Sequence, residues 1–377
     1  MPQVPSFLTR RLHNQRLARS DFRRPADVVT WLGAVQAQDY PAAKWALGLR
    51  APGLTDEDVE KAFAEGSILR THVLRPTWHF VTPADIRWML ALSAPRLHKA
   101  SGPYNRALGL DDALLKRCRA AIERALRDGK QLTRAEMGAS LRGGGIDVSG
   151  PALGQVMMHA ELEAIVCSGA RKGNHSTYAL LEARAPRGRI VTRDEALGQL
   201  ARRYFASHGP ATLRDYVWWS GLVVGDARRG IEIAGRDLER RAIDDLTYWS
   251  AAGAAGTTAR SARGAHLLPN YDEYLVAYRD RDAVVEPSRR AAASRPRASR
   301  PRATRPRATP RGSDVFAHSL VVGGVLAGSW TRTHQQNAAT VDVVTYRRLD
   351  PADRKAVAAA AERYGRFMQQ PVTCVQR

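Results

Sequence analysis

Apolar positions along this chain recur with two periods, and the places where the period changes divide it into pieces. Residues 6 to 20 carry a short helical pattern, and Pro25 suits the first turn of a second helix running to about Gln36. Tyr40 stands before Pro41, which disfavours the α conformation at residue 40, so the pattern ends this helix near Gln38. Another helix follows Pro41 through Arg50. Thr55-Asp56-Glu57-Asp58 supplies an N-cap and an acidic first turn for a third, which stops at Gly66. The period then shortens. Residues 68–74 and 77–81 are rich in branched and aromatic side chains around Arg75-Pro76, which predicts two strands and a turn. Three helices and a hairpin make a winged helix.

The same order returns after Thr82-Pro83-Ala84-Asp85 has capped a connecting helix that reaches about residue 93. An amphipathic helix over 114–126 places Leu115, Cys118, Ile122 and Leu126 on one face. Thr133 and Glu136 form a capping box for the next, closed by Gly143-Gly144-Gly145, and Ser149-Gly-Pro151 opens a third. Strands over 165–167 and 177–181 bracket the basic tip Ala170-Arg171-Lys172-Gly173-Asn174. A third copy opens on the capping box Thr192 to Glu195, with helices to about His208 and over 212–221 and 226–234, then strand-like pieces at 246–250 and 266–268. Beyond it come an apolar hairpin over 319–331 turned by Gly323-Gly324, a strand over 341–347 and a helix over 351–367. The fold class expected is therefore α+β, mainly helical: three tandem winged helix-turn-helix modules (1–100, 101–190, 191–286), an insert (287–312) and a C-terminal β-rich segment (313–377).

Charge adds a partner to this picture. The formal net charge is +21 and the pI about 10.7, a balance that favours a polyanion, because each arginine or lysine set on a phosphate releases condensed counterions. Nine arginines and no acid lie between residues 287 and 311, in a Ser/Thr-Arg-Pro-Arg-Ala repeat that is too polar to bury a core, and without them the chain is still basic. The insert reads as an extended, disordered phosphate clamp or as low-complexity drift. Met1-Pro-Gln-Val-Pro-Ser lacks the basic and apolar parts of a secretory signal, and no apolar run is long enough for a membrane span, so a cytoplasmic, nucleoid-associated protein is expected. Cys118, Cys167 and Cys374 match no metal or disulfide spacing, and His72 and His79 have no third ligand at useful spacing, so neither metal nor cofactor is expected.

Gln36 and Gln38, two amides separated by one small residue at a helix end, are placed to face a common cleft. In the hairpin, Arg75, Thr77, Trp78 and His79 are candidates for touching a duplex, Thr77 and His79 sharing one face, and Arg171, Lys172 and Asn174 form a wing tip suited to phosphates. Gln36-Ala-Gln38, Leu74-Arg-Pro-Thr-Trp-His-Phe-Val81, Leu267-Leu-Pro-Asn-Tyr-Asp-Glu-Tyr-Leu275 with Arg279-Asp-Arg281, and Val325-Leu-Ala-Gly-Ser-Trp330 together resemble the winged-helix DNA glycosylases of the AlkZ and YcaQ group. The resemblance covers nearly the whole chain except the insert. It implies a C-shaped, DNA-holding body of three winged helices with Gln36 and Gln38 as the catalytic pair. From the residues themselves, Asp39 beside Gln38, and Asp272 with Glu273 in the polar, aromatic cluster Tyr271-Asp272-Glu273-Tyr274, are candidate auxiliary carboxylates or structural hydrogen-bonding groups, and a monomer on damaged double-stranded DNA is expected. The activity implied is hydrolysis of the N-glycosidic bond of N7-alkylpurine lesions, bulky or crosslinking. The alternative is a non-catalytic winged-helix DNA-binding protein. Against a regulator stands the acidic third helix of the first module, with Glu57, Asp58, Glu60 and Glu65 beside one Lys61, which suits a major groove poorly.

The insert gives a first prediction. Deleting residues 287–312 is expected to leave the fold in place and to flatten the dependence of DNA affinity on salt, each lost phosphate contact lowering the log–log slope by about 0.9. A titration series between low and physiological salt that gives one slope for both chains would remove the insert from the DNA interface.

Overall fold

The structure is a computed structural model, and it describes residues 6–243, 245–253, 264–285, 318–335 and 338–377. The arginine-rich insert therefore lies outside the described residues, as do the first five.

A leading helix, α1 (Ser6–Asn14), precedes α2 (Pro25–Leu32), β1 (Val35–Gln36), α3 (Tyr40–Gly48), α4 (Asp56–Glu65), β2 (Leu69–His72) and β3 (Trp78–Val81). The strands form an antiparallel sheet in the order β1-β3-β2. Here the expected helix over 25–36, with the two glutamines at its end, is corrected. Gly33, at a φ of 84°, closes α2 by bonding its N–H to the Val29 carbonyl, a backbone conformation that side chains resist. The chain leaves extended, so Val35 and Gln36 pair with Phe80 and His79.

The helix α5 (Pro83–Ala107) runs well past residue 93 and spans the expected boundary at 100/101. Pro95 removes one backbone bond from it, yet Leu92 and Leu97 are buried on either side, and packing outweighs the local loss. Next come α6 (Asp112–Ala125), β4 (Leu132–Thr133), α7 (Arg134–Gly143), α8 (Gly150–Leu162), β5 (Val166–Ser168) and β6 (Thr177–Leu180), the strands ordered β4-β6-β5. After the single turn α9 (Leu181–Arg184), the order recurs as α10 (Arg193–His208), β7 (Ala211–Thr212), α11 (Leu213–Ser220), α12 (Val224–Ala234), β8 (Leu238–Ile243) and β9 (Leu246–Ala251), with strand order β7-β9-β8. The sequence helix, strand, helix, helix, strand, strand thus occurs three times among the described residues. Each first strand has only two residues, too short to leave a periodic signal.

The rest is β10 (Ala265–Leu268), α13 (Glu273–Val276), α14 (Asp282–Val285), β11 (Ser319–Val322), β12 (Val325–His334), β13 (Ala339–Thr345), α15 (Pro351–Met368) and β14 (Val372–Gln376). The piece at 266–268, expected with the third module, instead forms the edge of a five-stranded sheet in the order β10-β11-β12-β13-β14, antiparallel except for the last pair. The helix α15 covers this sheet, and Phe367 and Tyr364 pack on Trp45 of α3. One apolar core therefore joins the first unit to the C-terminal sheet, a second joins α5 to the third unit, and the second unit keeps a core of its own.

Through the first core runs a fully buried ion pair. Arg50 donates two bonds of 2.8 Å to the Asp272 carboxylate, and its other donors reach the Gln15 carbonyl at 3.0 Å, the Gln15 side chain at 2.9 Å and the Ala46 carbonyl at 3.0 Å. Every guanidinium nitrogen is satisfied. Removing one partner leaves a buried charge uncompensated, so Asp272→Ala is expected to cost about 3–5 kcal/mol in denaturant unfolding, and Arg50→Met added to it to recover part of that loss. A single-variant cost under about 1 kcal/mol would show that the pair does not hold the core.

Candidate active site

Gln36 is buried and held from two sides. Its backbone N–H donates to Glu273 Oε1 at 2.9 Å, and its side-chain Oε1 accepts a 2.8 Å bond from Arg75 Nη2. Arg75 follows Leu74, whose φ of 62° turns the hairpin back, and the Leu74 N–H is caught by Ser93 Oγ of α5 at 2.9 Å. Gln38, two residues on, is exposed and accepts the Trp78 backbone N–H at 3.3 Å. Between them the Ala37 N–H donates to the Trp78 carbonyl at 2.7 Å, and the Ala37 carbonyl accepts from Arg70 Nε at 2.9 Å. The two amides thus stand at one edge of the hairpin sheet, one fixed inside and one facing out.

Beneath Gln36 lies a group of buried ionisable side chains. Glu273 is fully buried on α13, and its Oε2 accepts from Trp219 Nε1 at 2.9 Å with His208 Nε2 at 3.4 Å. Burial alone would raise its pKa; the His208 contact, the Arg75 charge and the Gln36 N–H outweigh that and hold it down at about 2. Glu273 stays ionised. His79, opposite Gln36 in the sheet, is fully buried with Nδ1 2.9 Å from the Thr77 carbonyl, and burial, with Arg75 nearby, lowers its pKa to about 3. His208 is also lowered by burial, against the pull of Glu273.

Neither auxiliary carboxylate is free. Asp272 accepts both Arg50 bonds and the Tyr274 N–H at 2.9 Å. Asp39 caps α3 through the Ala42 N–H at 3.2 Å and accepts from Asn270 Nδ2 at 3.0 Å. Of the hairpin candidates, His79 is buried, while Thr77 and Trp78 are half-buried, the Trp78 ring centroid 4.4 Å from that of His72. The wing candidates are engaged within the chain: Lys172 pairs with Glu136 at 2.9 Å, while Arg171 donates to the Asn174 carbonyl at 2.7 Å and lies 3.8 Å from Glu60. Asn174 borders a cleft of about 830 Å³ between the first two units, next to Trp78.

Known proteins share this architecture. The family model described as DNA glycosylase AlkZ-like matches residues 29–367. The chain belongs to the AlkZ-like DNA glycosylase family. It is 28% identical over 288 residues to an interstrand DNA cross-link repair glycosylase of Streptomyces sahachiroi, covering 72% of this chain and 76% of that protein. The solved structure of the Streptomyces sahachiroi DNA glycosylase AlkZ superposes with a TM-score of 0.74 at 22% identity, covering 98% of each chain, and at that identity the likeness speaks for the fold. Membership in a DNA glycosylase family makes this an enzyme of the N-glycosyl hydrolase class with DNA as its partner. No helix among the described residues is long and apolar enough to cross a membrane, and none of them group three His, Cys, Asp or Glu side chains in a way that could hold a metal ion.

For this AlkZ-like enzyme the sequence offered Glu273 only as one carboxylate of a polar cluster, and His208 not at all. Glu273 and His208 are separated by 65 residues and meet only in the fold, and the one signal was that Glu273 adjoins Asp272 in a polar, aromatic cluster beside Pro269.

The sign of the pH dependence follows. His79 folds with a pKa lowered from 6.5 to about 3, so as pH falls the unfolded chain takes up a proton first, and stability present above 6.5 is lost down to about 3. His208 acts in the same direction, and Glu273 adds a loss between its unfolded value of 4.5 and about 2. The unfolding free energy is expected to fall steadily from pH 7 to 4, and His79→Gln to reduce that slope by up to about 1.4 kcal/mol per pH unit. Denaturation series in which both proteins share one slope would mean that His79 carries its proton in the fold.

Proposed function

We propose that this protein is a monofunctional DNA glycosylase that hydrolyses the N-glycosidic bond of N7-alkylpurines in duplex DNA, bulky and crosslinking adducts included. The three repeated units are read as three tandem winged helices that hold the duplex, with the protein working as a monomer at the nucleoid. One observation carries the reading: two amides stand two residues apart at the edge of the hairpin sheet, Gln36 buried and locked between Arg75 and Glu273 and Gln38 exposed, and the neighbouring carboxylates Asp39 and Asp272 are committed to other bonds. The Streptomyces relative, an interstrand DNA cross-link repair glycosylase, points the same way.

Breaking an N-glycosidic bond builds positive charge on the sugar, and an ordinary purine leaves poorly without a proton. Alkylation at N7 already places positive charge on the base. The enzyme then needs only to hold water and to face the developing cation with oriented dipoles. A carbonyl oxygen has two acceptor sites, so Gln36 Oε1, with one of them given to Arg75, keeps the other for water, and Gln38 keeps its amide N–H₂. Arg75 and Gln36 are one unit, since the guanidinium fixes which way the amide points. The negative Glu273 beneath offsets Arg75, so the site presents amides rather than a net cation to the sugar.

The test is incubation with an N7-alkylated duplex, scored for free base and abasic sites. Gln36→Ala and Gln38→Ala are each expected to lower the single-turnover rate about a hundredfold or more while leaving the Kd for DNA nearly unchanged, because they act on the transition state and not on phosphates. Undiminished excision by the double variant would remove Gln36 and Gln38 from the chemistry and overturn this reading of the site.

A further inference from the structure

The cleft between the first two units has a cation at its inner end. Arg70 of β2 is 9% exposed and lines the cleft. Its backbone N–H donates to Ser168 Oγ of the second unit at 2.8 Å, its Nε donates to the Ala37 carbonyl between the two glutamines at 2.9 Å, and its guanidinium lies 4.4 Å from the Trp78 ring centroid. The two terminal nitrogens have neither a hydrogen bond nor an ion pair among the described residues. Buried charges are ordinarily paired. The carboxylate whose field reaches it, Glu161, is already spoken for: Oε1 faces Trp78 Nε1 at 3.3 Å and Oε2 faces the His72 backbone and ring. Arg171, on the wing, adds positive charge to the same surroundings.

The opposite wall supplies donors as well. Arg134 lines it, bonded to the Gly150 carbonyl, and so do Ser149 and Gly150, where the thirteen-residue α8 begins. The Ser149 side chain makes no capping bond to that helix; Pro151 has no N–H and the Leu153 N–H is bonded to the Ser149 carbonyl, so the N–H groups of Gly150 and Ala152 are left at the positive end of the helix dipole beside the cleft. An unpaired guanidinium facing a helix N-terminus across an open cleft fits a tetrahedral oxyanion, which guanidinium forks and helix N-termini both bind.

We propose that this cleft is a subsite for one phosphodiester of the DNA backbone close to the lesion, bound by Arg70 with Arg134 and the first turn of α8. Through the Ala37 carbonyl, Arg70 passes that contact to the strand carrying Gln36 and Gln38, so seating the phosphate sets the position of the amides against the sugar. The proposal rests on the reading of those glutamines as the glycosylase centre. Trp78 supports the coupling, since its ring walls the cleft while its backbone holds Gln38.

A phosphate scan tests it. Duplexes carrying an N7-alkylguanine are made with the linkages around the lesion replaced one at a time by neutral methylphosphonates, and affinity and base release are measured separately. The wild type should lose about tenfold or more in affinity at one linkage, the scale of a charge-assisted hydrogen bond. Arg70→Met should weaken binding to the unmodified duplex by a similar factor, lose the sensitivity at that linkage and lower the salt slope by about one; Arg70→Lys should keep part of the sensitivity. No sensitive linkage in the wild type, or equal sensitivity in Arg70→Met, overturns the proposal. Should Arg70→Met fail to fold by circular dichroism, the wild-type scan and the same comparison with Arg134→Gln decide. Competition by inorganic phosphate without any sensitive linkage would indicate a free-anion site and also overturn it. Linkage sensitivity without base release counts against the glycosylase reading alone, and base release without linkage sensitivity counts against the subsite alone.

Discussion

The Arg50–Asp272 pair is the constraint on which the architecture of the candidate site depends. Both side chains are wholly out of water, a condition that costs more than their attraction returns unless every donor and acceptor is used. Here the five guanidinium bonds go to three places far apart in the chain: the end of α1 at Gln15, the last turn of α3 at Ala46, and the start of α13 at Asp272. The next residue after Asp272 is Glu273. The ion pair therefore fixes the one loop that brings a carboxylate beneath Gln36, and Gln15 adds a bond to the Glu273 carbonyl at 3.2 Å. An apolar pair of equal volume would fill the space but would not set the angle at which α13 enters.

From that anchor the site gathers parts from every region except the second unit. Gln36, Arg75 and His79 come from the first, Trp219 and His208 from the third, and Glu273 from the connection to the C-terminal sheet. Three units of the same element order have thus diverged in use. In the first unit, Arg75 holds the Gln36 side chain while Glu273 from outside it takes the backbone N–H, and the first core includes residues of β10 to β13 and α15. The second unit, with a separate core, meets the first across the cleft at Arg70, Ser168 and Glu161.

Legibility in the sequence followed the range of the interaction. Capping boxes at Thr55, Thr133 and Thr192 are written in four consecutive residues, and each opens a helix where expected. Hairpins bracketed by Gly323-Gly324 or Arg75-Pro76 are equally local. What failed needed a partner from elsewhere. The glutamines read as a helix end because a two-residue strand has no period, and only pairing with Phe80 and His79 makes it one. The strand β8, Leu-Glu-Arg-Arg-Ala-Ile, hides its alternation under charge and is paired by β9. Asp272 and Glu273 stand side by side in one polar cluster, and nothing local distinguishes the acid that meets a buried arginine from the acid that meets an amide.

The arrangement around Gln36 also explains why an amide stands there. A carboxylate at position 36 would lie within hydrogen-bond reach of Arg75 and have its backbone bonded to the ionised Glu273, two negative groups competing for one guanidinium. One of them would take a proton, and the buried balance that holds Glu273 at about 2 would be lost. A neutral amide avoids this. It accepts from Arg75 without adding charge, so the Glu273–Arg75 balance beneath it stays intact and the face turned outward is a dipole of fixed direction. Under the proposed chemistry such a dipole suits a leaving group that brings its own positive charge, because nothing in it has to change protonation for the bond to break.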